Sequence, residues 1–378
     1  MKVAVFRRRW IPHGGGERFV DAYLGMLARA GHEVHLYTEA WGRPVDGVSV
    51  HRVPALGAGS ALDTLTYACL APRLAAGGRF DVVHSFERTL RQDLYRAGEG
   101  CHRQWLELRR RYAPRIRRRA DALRPFHRVV LAIERRICRG GARLLAVTSN
   151  LVGQAFARHY APLGAAVVLL RNAVDLARFH PDVRAALRAP ARAGIGAADS
   201  ERVLLTLGSG FERKGVATVV RALARLKAAA RALPLALVAG EGDRASVRRL
   251  AQGEGVEARV RLLGPVDDPR PLYAAADLFV LPTLYDPSSN ATLEAMAMGL
   301  PVITTATNGS AELLEPGRSG WVLERPDDDA GLARLIDEAA GADLRAVGEA
   351  GRRAVEPYTW ARYLDETLGL YRRLAHRQ

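Results

Sequence analysis

Two doubly wound α/β domains facing across a cleft are the architecture this sequence predicts. Three observations carry the prediction. Short apolar strand-like runs alternate with helical segments in both halves of the chain, the pattern that builds parallel sheets covered by helices. At 378 residues the chain exceeds the range of one hydrophobic core. A glycine-bearing loop follows the first strand of each half, at 12–18 and 209–215. Glycines let backbone N–H groups approach a phosphate closely.

The elements follow in order. Residues 2–6, KVAVF, read as the first buried strand. The loop PHGGGER leads into a helix over 19–30 that ends at Gly31, and HEVHLYT at 32–38 is the second strand. This is a βαβ unit. The triple glycine alone fits a plain turn equally well, and it is not GxGxxG. Residues 48–53 and 81–84 read as strands, 103–140 as a basic helical region, and 144–149 as a strand before a helix at 150–159. Residues 167–170 form an exit strand. The Ala/Arg-rich stretch 185–199 reads as a loose interdomain segment. In the second half, strands at 203–208, 235–240, 259–264 and 278–282 alternate with helices, the first over 216–233. Pro287, Ser288, Ser289 and Asn290 favour a turn and a helix cap. The small-residue helix 292–298 is stopped by Gly299-Leu300-Pro301, and 302–305 is a short buried strand. Asp327, Asp328 and Asp329 cap a further helix, and an amphipathic helix spans 359–377.

Composition narrows the class. A hydrophobic content of 48% with mean hydropathy near zero suits a soluble α/β protein. No apolar run approaches the roughly 18–20 residues that span a bilayer, and the N-terminus lacks the long apolar core of a signal peptide. Cys69, Cys101 and Cys138 are scattered without CxxC spacing, so a reducing cytosol is expected, with neither zinc site nor disulfide framework. The sequons at Asn290 and Asn308 are read as chance. The net charge of +16 points to an anionic partner. Much of it lies in 103–119, where Arg103, Arg109, Arg110, Arg111, Arg115, Arg117, Arg118 and Arg119 face one glutamate and interleave with Trp105, Leu106, Leu108, Tyr112 and Ile116. A solvated helix face and a nucleic-acid surface are two readings. An anionic membrane interface fits arginines around Trp, Tyr and Leu best.

Three groups of residues carry candidate chemistry. Asp286 and Glu294 stand eight positions apart, one on a polar turn and one on the first turn of a helix. Both can reach one cleft, and the amides of Ala291 and Thr292 at the helix start can meet an anion. This equipment suits a sugar nucleotide; the plainer reading is a capped helix. Arg213 and Lys214 sit in a glycine-flanked loop, where two cations can neutralise a diphosphate as charge develops on it, or simply be solvated. Gly98-Glu99-Gly100 puts a carboxylate on an exposed turn at a strand edge.

The 285–302 stretch resembles the nucleotide-sugar motif of the retaining GT-B enzymes of glycosyltransferase family 4, written E-x7-E with a small-residue helix and G-x-P-V. Glu294, Ala295, Met296, Ala297, Gly299, Pro301 and Val302 match it, while Asp286 stands where Glu is usual. The resemblance extends over essentially the whole chain, through GGGER, QDLYRAGEGC, RNAVDLARFHP, FERKGV, VAGEGD and RLLGPV. It implies that Gly15, Gly16, Arg213 and Lys214 meet the donor, Glu294 its ribose, Asp286 its sugar hydroxyl, Val266 the base, and Ala291 and Thr292 sugar or phosphate oxygens. Glu99 matches an aspartate that faces the reacting sugar in the family's lipopolysaccharide-core glucosyltransferases; many members have histidine in this region, so His102 competes for the catalytic role. The implied domains are an acceptor-side domain 1–172, joined by the terminal helix 359–378, and a nucleotide-sugar domain 173–358. The implied activity is retaining transfer of a hexose, at best guess glucose from UDP-glucose, to a lipopolysaccharide-core heptose. It would be carried out by a monomer peripheral to the cytoplasmic face of the inner membrane. No metal and no cofactor beyond the nucleotide sugar are expected. The alternatives are a transferase for another glycolipid or exopolysaccharide acceptor, a basic nucleic-acid-binding protein, or an inactive GT-B scaffold.

Overall fold

In the computed structural model the described residues are 1–10, 15–42, 44–56, 60–112 and 124–376. They form two compact units, Met1–Arg171 with Ala361–Gln378, and Asn172–Trp360.

The first unit begins with β1 (Lys2–Phe6), α1 (Gly15–Arg29), β2 (Glu33–Thr38), β3 (Val48–Arg52) and α2 (Ser60–Ala75). It continues with β4 (Val82–Ser85), β5 (Leu94–Ala97), α3 (His102–Tyr112), α4 (Pro125–Arg136), β6 (Leu144–Val147), α5 (Asn150–Tyr160) and β7 (Ala166–Leu169). The strands make one seven-stranded sheet ordered β3-β2-β1-β4-β5-β6-β7, every pair parallel. Its central strands are near-continuous apolar runs, as a sheet covered on both faces requires. The first helix starts at Gly15, four residues before the position the sequence suggests, so Gly15 and Gly16 lie in its first turn and not in an open loop. Glycine's backbone freedom hides that start from sequence reading. Arg115, Arg117, Arg118 and Arg119 lie outside the described residues.

The second unit opens with α6 (Pro181–Gly194) and continues β8 (Val203–Leu207), α7 (Val216–Ala228), β9 (Leu235–Ala239), α8 (Arg244–Gly253), β10 (Val260–Gly264) and α9 (Arg270–Ala275). Then come β11 (Leu278–Leu281), α10 (Asn290–Ala297), β12 (Val302–Thr305), β13 (Trp321–Leu323), α11 (Asp329–Gly341) and α12 (Leu344–Val355). These strands form a six-stranded parallel sheet, β10-β9-β8-β11-β12-β13. Asp328 caps α11, its carboxylate accepting from the Gly331 amide at 2.8 Å. The last helix, α13 (Trp360–Ala375), packs in the first unit. There the Tyr371 hydroxyl lies 2.6 Å from that of Tyr23 and 2.7 Å from His84 Nδ1. Tyr363 makes an edge contact with Phe19 at 5.1 Å.

The stretch 185–199 is not loose; most of it belongs to α6. Arg184, Arg188 and Arg192 recur every four residues on one face of that helix. Arg184 donates to Ala276 O at 3.0 Å, Arg188 to Ala274 O at 3.1 Å and Arg192 to Ala275 O at 2.9 Å. Together they cap the open carbonyls at the end of α9. Asp277 receives Arg188 at 2.5 Å and Arg192 at 3.3 Å. Arg192 is only 2% exposed. Composition suggested a loose segment, but the spacing of its arginines makes them caps. Replacing Arg192 by Met strands Ala275 O and removes one arm of the charge pair on Asp277. Urea denaturation should therefore show a loss of about 3 kcal/mol. A loss under about 1 kcal/mol, the scale of an exposed pair, would contradict the capping role.

Candidate functional site

In each sheet the strand order reverses between two neighbouring strands, β1 and β4 in the first unit and β8 and β11 in the second. Loops leaving the carboxyl ends of such a pair diverge, and the space between them is where open α/β sheets bind ligands.

In the second unit the loop after β8 carries Arg213 and Lys214, and the loop after β11 carries Asp286. The two loops are strapped together: the Leu284 amide and the Thr283 hydroxyl both donate to Arg213 O, each at 2.8 Å. Two glycines make the approach possible. Gly215, at φ +73°, caps α7, and any Cβ there would collide with Pro282 O. Gly208, at φ +142°, lies under the Lys214 side chain, whose Cε would be 2.5 Å from a Cβ. Lys214 Nζ donates to Asp286 Oδ2 at 2.7 Å, and Arg213 Nη1 approaches the same oxygen at 3.4 Å. Burial lowers the Lys214 pKa; Asp286 opposes that shift and Arg213 adds to it. Burial would raise the Asp286 pKa, but Lys214 and then Arg213 outweigh it and hold the carboxyl below its ordinary value. Both side chains are 8% exposed, whereas Arg213 is 37% exposed.

Glu294 sits in α10, with Oε2 accepting the Tyr273 hydroxyl at 2.9 Å. The start of α10 is braced by Asn308. Its Oδ1 accepts from the Ser289 and Ser310 amides at 3.3 and 3.1 Å, and its Nδ2 donates to Thr292 Oγ1 at 3.2 Å. Asn172 Nδ2 donates to Ser288 O at 3.0 Å and Asn290 Oδ1 at 2.7 Å. The Thr292 amide serves the cap, donating to Ser289 Oγ at 3.3 Å. Val266 is half-buried in the loop beyond β10. Asn308 and Tyr273 were not picked out from the sequence. Asn308 looked like a chance sequon, and Tyr273, in an alanine-rich run, belongs to no motif.

In the first unit Arg88 organises the carboxyl ends of β4 and β5. Its Nε donates to Glu134 Oε1 at 3.1 Å, Nη1 to Glu99 Oε2 at 2.6 Å and Nη2 to Gly100 O at 2.9 Å. Arg7 Nη1, from the end of β1, reaches Glu99 Oε1 at 3.4 Å. Glu99 therefore stands on its turn half-exposed, 49% by side chain, with a cation on each oxygen. Burial opposes its ionisation, but Arg88 and then Arg7 outweigh it and hold the carboxyl well below the usual range. His102 opens α3, its amide donating to Glu134 Oε1 at 2.7 Å, and its Nε2 lies 3.0 Å from His127 Nδ1. Burial, Arg88 and His127 push its pKa down to about 3, so it is neutral at physiological pH. The Tyr160 hydroxyl donates to Glu134 Oε2 at 2.8 Å.

On α3, Arg103, Arg110 and Arg111 are exposed; Trp105 and Arg109 are half-buried, with the Arg109 guanidinium 5.9 Å from the Trp105 ring centre. On α4, Arg128, Arg135 and Arg136 are exposed while Glu134 is fully buried. Among the described residues no helix is long and apolar enough to cross a membrane, and no three His, Cys, Asp or Glu side chains cluster as a metal site.

Two parallel-sheet α/β domains of seven and six strands are the architecture of the GT-B fold. Residues 13–178 match the model of Glycosyltransferase Family 4 and residues 201–341 that of Glycosyl transferases group 1. The chain belongs to glycosyltransferase family 4. It is 26% identical over 342 residues to the lipopolysaccharide glucosyltransferase WaaG of Escherichia coli K12, covering 90% of this chain and 89% of that protein. The crystal structure of WaaG, a glycosyltransferase involved in lipopolysaccharide biosynthesis, superposes with a TM-score of 0.81 at 25% identity, covering 99% of this chain and 98% of the other. The alpha-maltose-1-phosphate synthase of Mycolicibacterium smegmatis is 28% identical, covering 99% of this chain and 100% of its own.

Two outcomes are expected of this geometry. If Glu294 meets the nucleotide as the resemblance implies, Glu294→Ala should weaken binding of the donor's nucleoside diphosphate by about 1.5–3 kcal/mol, the scale of a charged hydrogen bond, in titration calorimetry; unchanged affinity would remove Glu294 from that role. His102 titrates near 3 when folded against an ordinary 6.5. Between those values the unfolded chain binds a proton the folded chain refuses, so stability falls as pH drops through that window. One such group contributes a slope of about 1.4 kcal/mol per pH unit. His102→Gln should flatten the measured dependence of unfolding free energy on pH by one proton; an unaltered slope would show that His102 titrates normally.

Proposed function

We propose that this chain is a retaining hexosyltransferase that moves glucose from UDP-glucose to a heptose of the lipopolysaccharide inner core. The observation that supports the donor half is the convergence of Arg213, Lys214 and Asp286 at one switch point, with Glu294 on the helix after the same loop. On this reading Arg213 and Lys214 turn to the diphosphate. Asp286 is thereby released to a sugar hydroxyl, Glu294 takes the ribose, and Val266 lies by the base. Ala291 offers its amide at the start of α10, and Gly15 and Gly16 present backbone from the first unit. The cations stabilise charge as it develops on the leaving group, without need of a metal. The bond from the acceptor oxygen to the anomeric carbon forms on the face from which UDP departs with its electron pair. A leaving-phosphate oxygen accepts the hydroxyl proton. Glu99, ionised on its turn, orients the acceptor.

The acceptor half is supported by the likeness to a lipopolysaccharide glucosyltransferase and by the arginine faces of α3 and α4. Each arginine near an anionic membrane contributes about 1 kcal/mol, enough in sum to hold the enzyme peripherally at the cytoplasmic face of the inner membrane. The direct test supplies purified protein with UDP-glucose and lipopolysaccharide truncated at its inner-core heptoses. Mass spectrometry should show one added hexose, α-linked by NMR. Transfer only to heptose-free acceptors, such as a maltosyl or lipid-linked sugar, would replace this acceptor by another of the family's.

A further inference from the structure

We propose that Glu87 is a positioning residue of the acceptor side, acting on Glu99 through the one guanidinium nitrogen that both carboxylates approach. The proposal rests on the reading that Glu99 meets the acceptor. Glu87 lies just beyond β4 and Glu99 just beyond β5, on either side of Arg7 at the first sheet's switch point. Arg7 Nη1 is 3.4 Å from Glu99 Oε1, 3.6 Å from Glu87 Oε2 and 3.3 Å from Phe86 O. A terminal guanidinium nitrogen carries two hydrogens, so three acceptors compete for them. Glu99 has a second anchor in Arg88 at 2.6 Å. Among the described residues the Glu87 carboxylate has its one ion pair with Arg7.

Two carboxylates around one cation do not ionise independently. The groups that face Glu87 are Arg7 and Arg8 from the end of β1, Tyr67 from α2, Tyr95 from β5, and Arg88 and Glu99. Burial and then the Glu99 charge raise the Glu87 pKa, against Arg7, Arg8 and Arg88, whereas Glu99 is held low. While Glu87 holds its proton, it does not compete as a charge for Arg7, and Glu99 is held by Arg7 on one oxygen and Arg88 on the other. As pH rises and Glu87 ionises, Arg7 is shared between the two carboxylates and Arg88 remains the one anchor that Glu99 does not share with Glu87. Glu87 thus sets how firmly Glu99 is held, and at what pH.

The test is a carboxyl titration of full-length protein carrying 13C-labelled glutamate, followed by NMR in wild type, Glu87→Gln and Glu99→Gln. UDP-dependent thermal stabilisation of each variant first reports an intact fold. Wild type should show a resonance titrating above the ordinary glutamate range that disappears in Glu87→Gln. In Glu99→Gln the same resonance should move down by about one pH unit, the scale of coupled pairs. A Glu87 midpoint unmoved by Glu99→Gln would show burial alone at work and overturn the proposal. The second arm measures transfer from UDP-glucose to heptose-terminated lipopolysaccharide. Glu87→Gln should remove one ionisation from the pH profile of kcat/KM for the acceptor, and an unchanged profile would overturn the positioning role. If wild type transfers nothing to this acceptor, the acceptor reading fails while the titration still decides whether the pair exists.

Discussion

The ion pair between Lys214 and Asp286 is the constraint around which the second unit is arranged. It joins the loops leaving β8 and β11, the two strands at which the sheet reverses its order. A buried lysine and aspartate are tolerable only together, since removing either partner leaves an unpaired charge away from water. The glycines at 208 and 215 let the lysine stem and the loop backbone come close enough to make the pair. Arg213 leans on the same carboxylate from the solvent side. The arrangement holds two positive charges beside one carboxylate, which on the proposed reading a diphosphate replaces as partner. With that exchange made when the donor binds, the cations are in place before charge develops, which is what electrostatic preorganisation requires.

The first unit solves a related problem with arginine. Arg88 is almost fully buried and spends each of its three nitrogens on a different partner, Glu134, Glu99 and the Gly100 carbonyl. Its planar fork fixes the Gly98–Gly100 turn in a way a lysine could not. Glu99 emerges half-exposed and ionised; on the proposed reading it is too weak a base to take the acceptor's proton and instead accepts hydrogen bonds from its hydroxyls. His102, neutral and tied to His127, completes the same network from the start of α3.

Much of this was legible in the sequence. The alternation of strand and helix gave both sheets because parallel strands buried on two faces must be continuous apolar runs. Spacing placed Asp286, Arg213 and Lys214 on loops and Glu294 on the helix that follows Asp286, as found. Tertiary partners were not legible. Arg192 belongs by composition to a loose interdomain segment, and only its register with Arg184 and Arg188 reveals three caps on α9. Asn308 braces α10 from sixteen residues beyond Thr292, a contact no local pattern encodes. Glu87 gains meaning only because the sheet order brings the end of β1 beside that of β4.

The most direct test of the central claim is the rate of UDP-glucose cleavage by Lys214→Ala, with water as acceptor so that no lipid substrate intervenes. If Lys214 leaves Asp286 to stabilise the departing diphosphate, the rate should fall by roughly 100-fold or more, the usual effect of removing one such donor, with the protein still folded by its melting transition. A rate within about twofold of wild type, far below that expected loss, would contradict the account.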